Sequence, residues 1–182
     1  KNISNQEIDI SGWQILDKEA QIKIVLPLNT KIGSNQFFLL ERTDDNSVPQ
    51  IKADFIFVGT INNQNEALKI FDNHCQLQDE VISEGDWFFG NNTSKRTMER
   101  KNDLAWQTSS EIGGTPTREN SAGYFVNSGG SNSDSDSSSV STTTTTTSVS
   151  TTTTEPISYP KILINEIKIA DKDSENEIIV KD

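Results

Sequence analysis

The sequence predicts an all-β sandwich, and three observations carry the prediction. Apolar residues recur at alternate positions in short runs, the spacing of strands with one buried face. Clusters of Asn, Asp, Ser and Gly separate the runs and supply turn conformations. No segment holds a 3.6-residue apolar period for long, so amphipathic helices are not expected.

Taken in order, Ile8 and Ile10, then Trp13 and Ile15, alternate on either side of a Ser11-Gly12 corner. Residues 21–26 alternate next and stop at Pro27, which has no N–H for a sheet. Residues 36–41 form a strand with an apolar centre, halted by the polar residues 43–47. Residues 52–58 are the one helix-tolerant window, but aromatic and β-branched side chains disfavour a helix there. Residues 67–71 run into Asp72-Asn73 and residues 77–82 return, which reads as a hairpin with His74 in its turn. Far downstream, residues 161–169 form a strong strand, residues 171–174 a polar turn and residues 177–180 a second strand. Two strands alone are marginal in water.

Composition fixes the domain plan. The 182 residues have room for one ordinary domain and some extra chain. Hydrophobic content of 32% is too low for all of it to be packed core. Residues 121–160 account for the shortfall, with Gly129-Gly130, a Ser/Asp stretch and an unbroken Thr run at 142–147. Such a stretch buries too little to offset ordering entropy, so it is expected to be a disordered Ser/Thr-rich linker of the glycan-accepting stalk type. A formal charge of −11, from 16 Lys+Arg against 27 Asp+Glu, repels phosphate backbones unless a local basic patch intervenes. Cys75 is the single cysteine, which excludes an internal disulfide. The chain opens on Lys1 and its one methionine is Met98, so a processed or excised piece of a longer protein is expected. No apolar run approaches the ~20 residues of a membrane span.

Several islands then fall in a recognisable sequence. Asp9-Ile10-Ser11-Gly12-Trp13, Asp79-Glu80-Val81, Thr97-Met98-Glu99-Arg100, Trp106-Gln107-Thr108 and Gly113-Gly114-Thr115-Pro116 follow one another. Together they resemble the lamin tail domain as found in many secreted bacterial proteins, over roughly residues 8–120. The resemblance implies an immunoglobulin-like antiparallel β-sandwich, an extracellular or cell-surface setting and no catalytic role. In that family a strand like I-N-E-I and one like E-N-E-F-I-E-L-Y-N precede the D-L-S-G-W corner. Here those first strands are missing ahead of Asp9, whereas the tail carries Ile164-Asn165-Glu166-Ile167 and Glu175-Asn176-Glu177-Ile178-Ile179. Val180-Lys181-Asp182 departs from the Leu-Tyr-Asn of the family. The domains are accordingly residues 1–120, an N-terminally truncated sandwich; 121–160, the linker; and 161–182, the opening hairpin of a second repeat. Two organisations follow: tandem modules cut at both ends, or a tail (Ile162 to Val180) that folds back to complete the first sandwich. Backbone pairing of residues 162–169 with the first domain separates them.

Candidate chemistry is sparse. His74 and Cys75 are neighbours, and adjacent residues on a strand point to opposite faces; a turn histidine and a half-buried thiol are expected. Residues 171–177 alternate carboxylates like a calcium loop, but Asn176 stands where glycine is required and Asp182 where a bidentate Glu belongs. Asp134-Ser135-Asp136 is weaker still. Lys95-Arg96 and Arg100-Lys101, near Trp87 and Trp106, form a basic–aromatic group. Glu99 and Asp103 interleave with it, which favours a family strand with Arg100 tied to a structural acceptor. Trp13 and Trp106 are expected as core anchors. Residues 91–94 contain N-glycosylation sequons. No carboxylate pair stands isolated in an apolar setting, and no nucleophile elbow is present.

No catalytic, cofactor-binding or metal residues are therefore assigned, no cofactor is expected, and the binding residues stay unassigned. The expected function is structural display, or protein or glycan interaction through loops and edge strands, by a tandem-repeat protein. Nucleic acid is not the expected partner. The alternative is an accessory domain of a secreted hydrolase or nuclease whose catalytic part lies elsewhere.

Overall fold

A computed structural model describes residues 1–124 and 161–168. The described residues are all-β, with eleven short strands and no helix. They are β1 (Ile8–Asp9), β2 (Gln14–Asp17), β3 (Lys23–Val25), β4 (Lys31–Ile32), β5 (Leu40–Arg42) and β6 (Phe55–Phe57). β7 (Ala67–Phe71), β8 (Leu77–Ile82), β9 (Arg96–Arg100), β10 (Trp106–Ile112) and β11 (Glu166–Ile167) complete the set.

The first large sheet has the order β3-β2-β7-β8 and is antiparallel throughout, with Ile15 opposite both Ile24 and Ile70. Its β7–β8 ladder is the expected hairpin, with Leu68 opposite Val81 and a bulge after Ile70. Asp72 shapes the turn: its Oδ1 accepts N–H bonds from His74 (2.8 Å) and Gln76 (2.9 Å), while Cys75 takes the left-handed conformation at φ +60°. The second sheet, β10-β9-β11, is also antiparallel, with Met98 opposite Thr108 on one side and Ile167 on the other. Two smaller ladders flank these, antiparallel β1–β4 and parallel β5–β6. The expected strand at 36–41 is confined to its end, at Leu40–Arg42, and the disfavoured helix window instead supplies β6.

Two apolar clusters form the core. One gathers Ile10, Trp13, Ile22, Ile24, Ile32 and Ile70 with Ile162. The other joins Leu68 and Val81 of the first sheet to Met98, Trp106 and Ile167 of the second, with Trp87. Side chains from two sheets therefore meet across one interior, the sandwich arrangement. Ile61 and Ile164 pack against both clusters.

Residues 161–168 belong to the same compact unit as residues 1–124. Asn2 and Ile162 form an antiparallel bridge, flanked by Ile3 N–H to Lys161 O and Leu163 N–H to Lys1 O, each 2.9 Å. Regular strand is limited to Glu166–Ile167, shorter than the run expected at 161–169. Ordered contacts also pass position 120: the Ser121 carbonyl accepts from Gln107 Nε2 at 2.8 Å and Tyr124 N–H donates to Thr108 O at 2.8 Å. The rest of the expected linker, the calcium-like loop and the expected strand at 177–180 lie outside the described residues.

Candidate functional site

The densest polar structure in the described chain is the seam where residues 163–167 meet β8, β9 and the strip from Gly113 to Ser121. β9 is covered on both faces. Met98, fully buried, points into the apolar core, while Thr97 and Glu99, at 2% and 0% exposure, face the strip. Strand alternation thus gives one β9 face to the core and the other to a polar layer.

Arg100 anchors the core side. Its Nη2 donates to Asp79 Oδ1 (3.0 Å) and Oδ2 (2.9 Å), Nη1 to Leu104 O (2.7 Å) and Nε to Ile164 O (3.2 Å). The guanidinium lies 4.1 Å from the centre of the Trp106 ring, and both partners of the ion pair are largely buried. Asp79 Oδ2 also accepts the Ile164 N–H at 2.9 Å, and the Arg100 N–H donates to Asn165 O at 2.8 Å. A planar guanidinium that stacks on a ring while its three nitrogens serve three separate residues is a geometry lysine cannot copy. Arg100 is thus tied to a structural acceptor, as its interleaved charges suggested.

The strip side holds two carboxylates on paired positions, Glu99 opposite Glu166. Glu99 Oε1 accepts from Gln107 Nε2 and the Ser121 N–H, each 3.1 Å, and from the Ser121 hydroxyl. Glu166 Oε1 accepts from Thr97 Oγ1 (2.5 Å) and the Thr115 N–H (2.7 Å). The Thr115 hydroxyl sits between them, 3.1 Å from an oxygen of each carboxylate and 3.2 Å from Asn120 Oδ1. One hydroxyl proton faces three acceptors, so a proton on a carboxyl would relieve the crowding. Burial pushes the Glu166 carboxyl above its ordinary range and the Glu99 charge adds to this, against the hydrogen bonds from Thr97 and Thr115. Asn120 and Asn165 close the seam with Asn165 Nδ2 to Asn120 Oδ1 at 2.7 Å. Gly114, at φ +81°, lies so close to Glu166 and Thr97 that a Cβ would overlap both.

This pair of carboxylates has its oxygens engaged by protein donors, and Glu99 is fully buried. It offers no face to a substrate. Among the described residues no group of three or more His, Cys, Asp or Glu could hold a metal ion.

The other sequence candidates lie apart. His74 and Cys75 sit on the β7–β8 turn, and the thiol is exposed, not half-buried, because the left-handed Cys75 turns it out of the ladder. Arg96 stacks on Tyr124 at 4.1 Å and donates to Ser109 O at 3.2 Å, so it and Arg100 are both engaged internally. Trp13, Trp87 and Trp106 are all in the core, at 8–9% exposure. Asn91 is exposed, and its Oδ1 accepts the Ser94 N–H at 2.8 Å. No helix of the described residues is long and apolar enough to cross a membrane.

Sequence reasoning missed the polar layer of Glu99, Thr115, Asn120 and Glu166. The Gly113-Gly114 pair was the available signal, since glycine marks close backbone approach. It also missed Asn2, fully buried, whose Nδ2 reaches Gln6 O, Ile32 O and Gly33 O at 2.7–3.0 Å. Compared with family models, curated proteins and solved structures, the chain matches none of them.

Proposed function

We propose that this chain is a non-catalytic, lamin-tail-like module with an immunoglobulin-like sandwich, working in a secreted or cell-surface protein. It serves structural display, or protein or glycan interaction through loops and edge strands. The observation that supports this is where the islands of the resemblance go. Asp79, Arg100, Trp106 and Ile164 meet in one internally satisfied cluster. Glu99, Thr115 and Glu166 meet in the layer next to it. The residues that carry the family signature build the scaffold, which leaves interaction to exposed loops and to the outer strands β3 and β8.

The test is to place the purified chain on arrays of glycans and extracellular proteins, with hydrolase and nuclease substrates assayed in parallel. Saturable retention without turnover is the expected result. Turnover of any substrate, or retention on DNA alone that vanishes with salt, would overturn the proposal.

A further inference from the structure

Residues 162–167 are held by a slot built entirely from residues far away in sequence: Lys1 to Ile3 at one end, Asp79 and β9 at the other. Ile162, Leu163 and Ile167 are buried to 6%, 4% and 6%. Ile162 and Leu163 are adjacent yet both buried, so the slot covers the segment on two sides. The contacts are backbone hydrogen bonds, buried apolar side chains, the bonds of Ile164 to the Asp79 and Arg100 side chains, and seam bonds at Glu166 and Asn165. None depends on the segment and the slot belonging to one molecule.

From these observations we infer that the slot is an interaction surface for a second copy of this chain, which inserts its own residues 162–167 by strand exchange. This inference is independent of the family assignment. Cis and trans closure make the same contacts, so the effective concentration set by the tether decides between them. About 36 residues, 125–160, separate slot and segment in sequence, and a Ser/Thr-rich linker of that length, as the sequence predicts, would set an effective concentration on the order of millimolar. Below that concentration each molecule closes itself. Above it, or where copies are crowded, the segment of a neighbour competes, and reciprocal exchange closes a two-fold dimer with no exposed edge added.

The test uses the intact 182-residue chain carrying Ile162→Asp and Ile167→Asp, which leaves the slot vacant. A fluorescent peptide of residues 161–168 is titrated into this variant and into the parent chain. Saturable binding to the variant is expected, at least ~10-fold weaker in the parent because its own segment competes. In parallel, the parent refolded at ~2 mM should give a dimer by light scattering that is absent after refolding at ~10 µM, and the variant should give none at either concentration. If the variant does not fold alone, restoration of its cooperative unfolding transition by the peptide supports the inference equally. Equal binding to variant and parent would place the peptide elsewhere and overturn it. A variant that ignores the peptide, together with a parent that stays monomeric at ~2 mM, would overturn it as well.

Discussion

Replacing Arg100 by Met tests how the strands are held. The change removes both bonds to Asp79, at 3.0 and 2.9 Å, and the donors to Leu104 O and Ile164 O. Asp79 keeps the Ile164 N–H but remains a buried carboxylate, its side chain 11% exposed, without its ion-pair partner. Breaking one side of a buried pair costs about 3–5 kcal/mol. Met recovers part of the packing against Trp106 but forfeits a cation–π contact of about 1 kcal/mol. The expected loss is therefore about 4 kcal/mol, a large share of the ~5–15 kcal/mol of a typical domain. Urea unfolding followed by tryptophan fluorescence measures it. Adding Asp79→Asn should cost less than the sum of the two single changes, by about 1–3 kcal/mol, because the orphaned charge is gone. A loss under ~1 kcal/mol for Arg100→Met, with an unchanged denaturant slope, would refute the claim that this cluster holds the sheets.

Three further outcomes are expected. Burial favours the neutral form of Glu166 in the fold, so its contribution is fully present below pH 4.5 and is lost as pH rises through its raised folded value. Glu166→Gln should therefore gain on the parent at pH 7 and lose that gain as pH falls towards 4.5 in urea midpoints; a pH-independent difference would contradict this. Asp9 and Glu111 are held below their ordinary values by bonds to Ser11 and Arg118, so they act with the opposite sign and at lower pH. Gly114→Ala should cost about 2–4 kcal/mol, because strain at φ +81° adds to overlap with Glu166 and Thr97. Gly113→Ala, at φ +82° in open space, should cost only the backbone part, about 1 kcal/mol, and equal costs would remove the close-approach argument. The exposed Cys75 thiol should react with a small disulfide reagent in the native state without shifting the urea midpoint. Reaction only on unfolding would place it inside.

Much of the fold was legible because strand alternation and turn chemistry are local. The β7–β8 hairpin follows from apolar runs on either side of Asp72-Asn73, and Trp13 and Trp106 anchor the core as large aromatic residues ordinarily do. Strand lengths were less legible. Residues 36–39 look like strand, yet Asn2 N–H takes Gln36 O and Leu39 pairs with Asp54, contacts that no local pattern encodes. The seam was the least visible. Glu99 looks like a solvated charge breaking up a basic run. Its burial depends on Ser121, Thr115 and a strand 67 positions away, at Glu166. Cys75 was misplaced because hairpin alternation gives no warning of a left-handed residue inside the turn at 72–76.

The central claim is that residues 161–168 form part of the same folded unit as residues 1–124. Native-state hydrogen exchange on the intact chain tests it most directly, at three amides: Leu163, bonded to Lys1 O; Ile164, bonded to Asp79 Oδ2; and Arg100, bonded to Asn165 O. All three should be protected and should open with the free energy of global unfolding, together with the amides of the β7–β8 ladder. Exchange of Leu163 and Ile164 at free-peptide rates, while the β7–β8 amides stay protected, would contradict the claim.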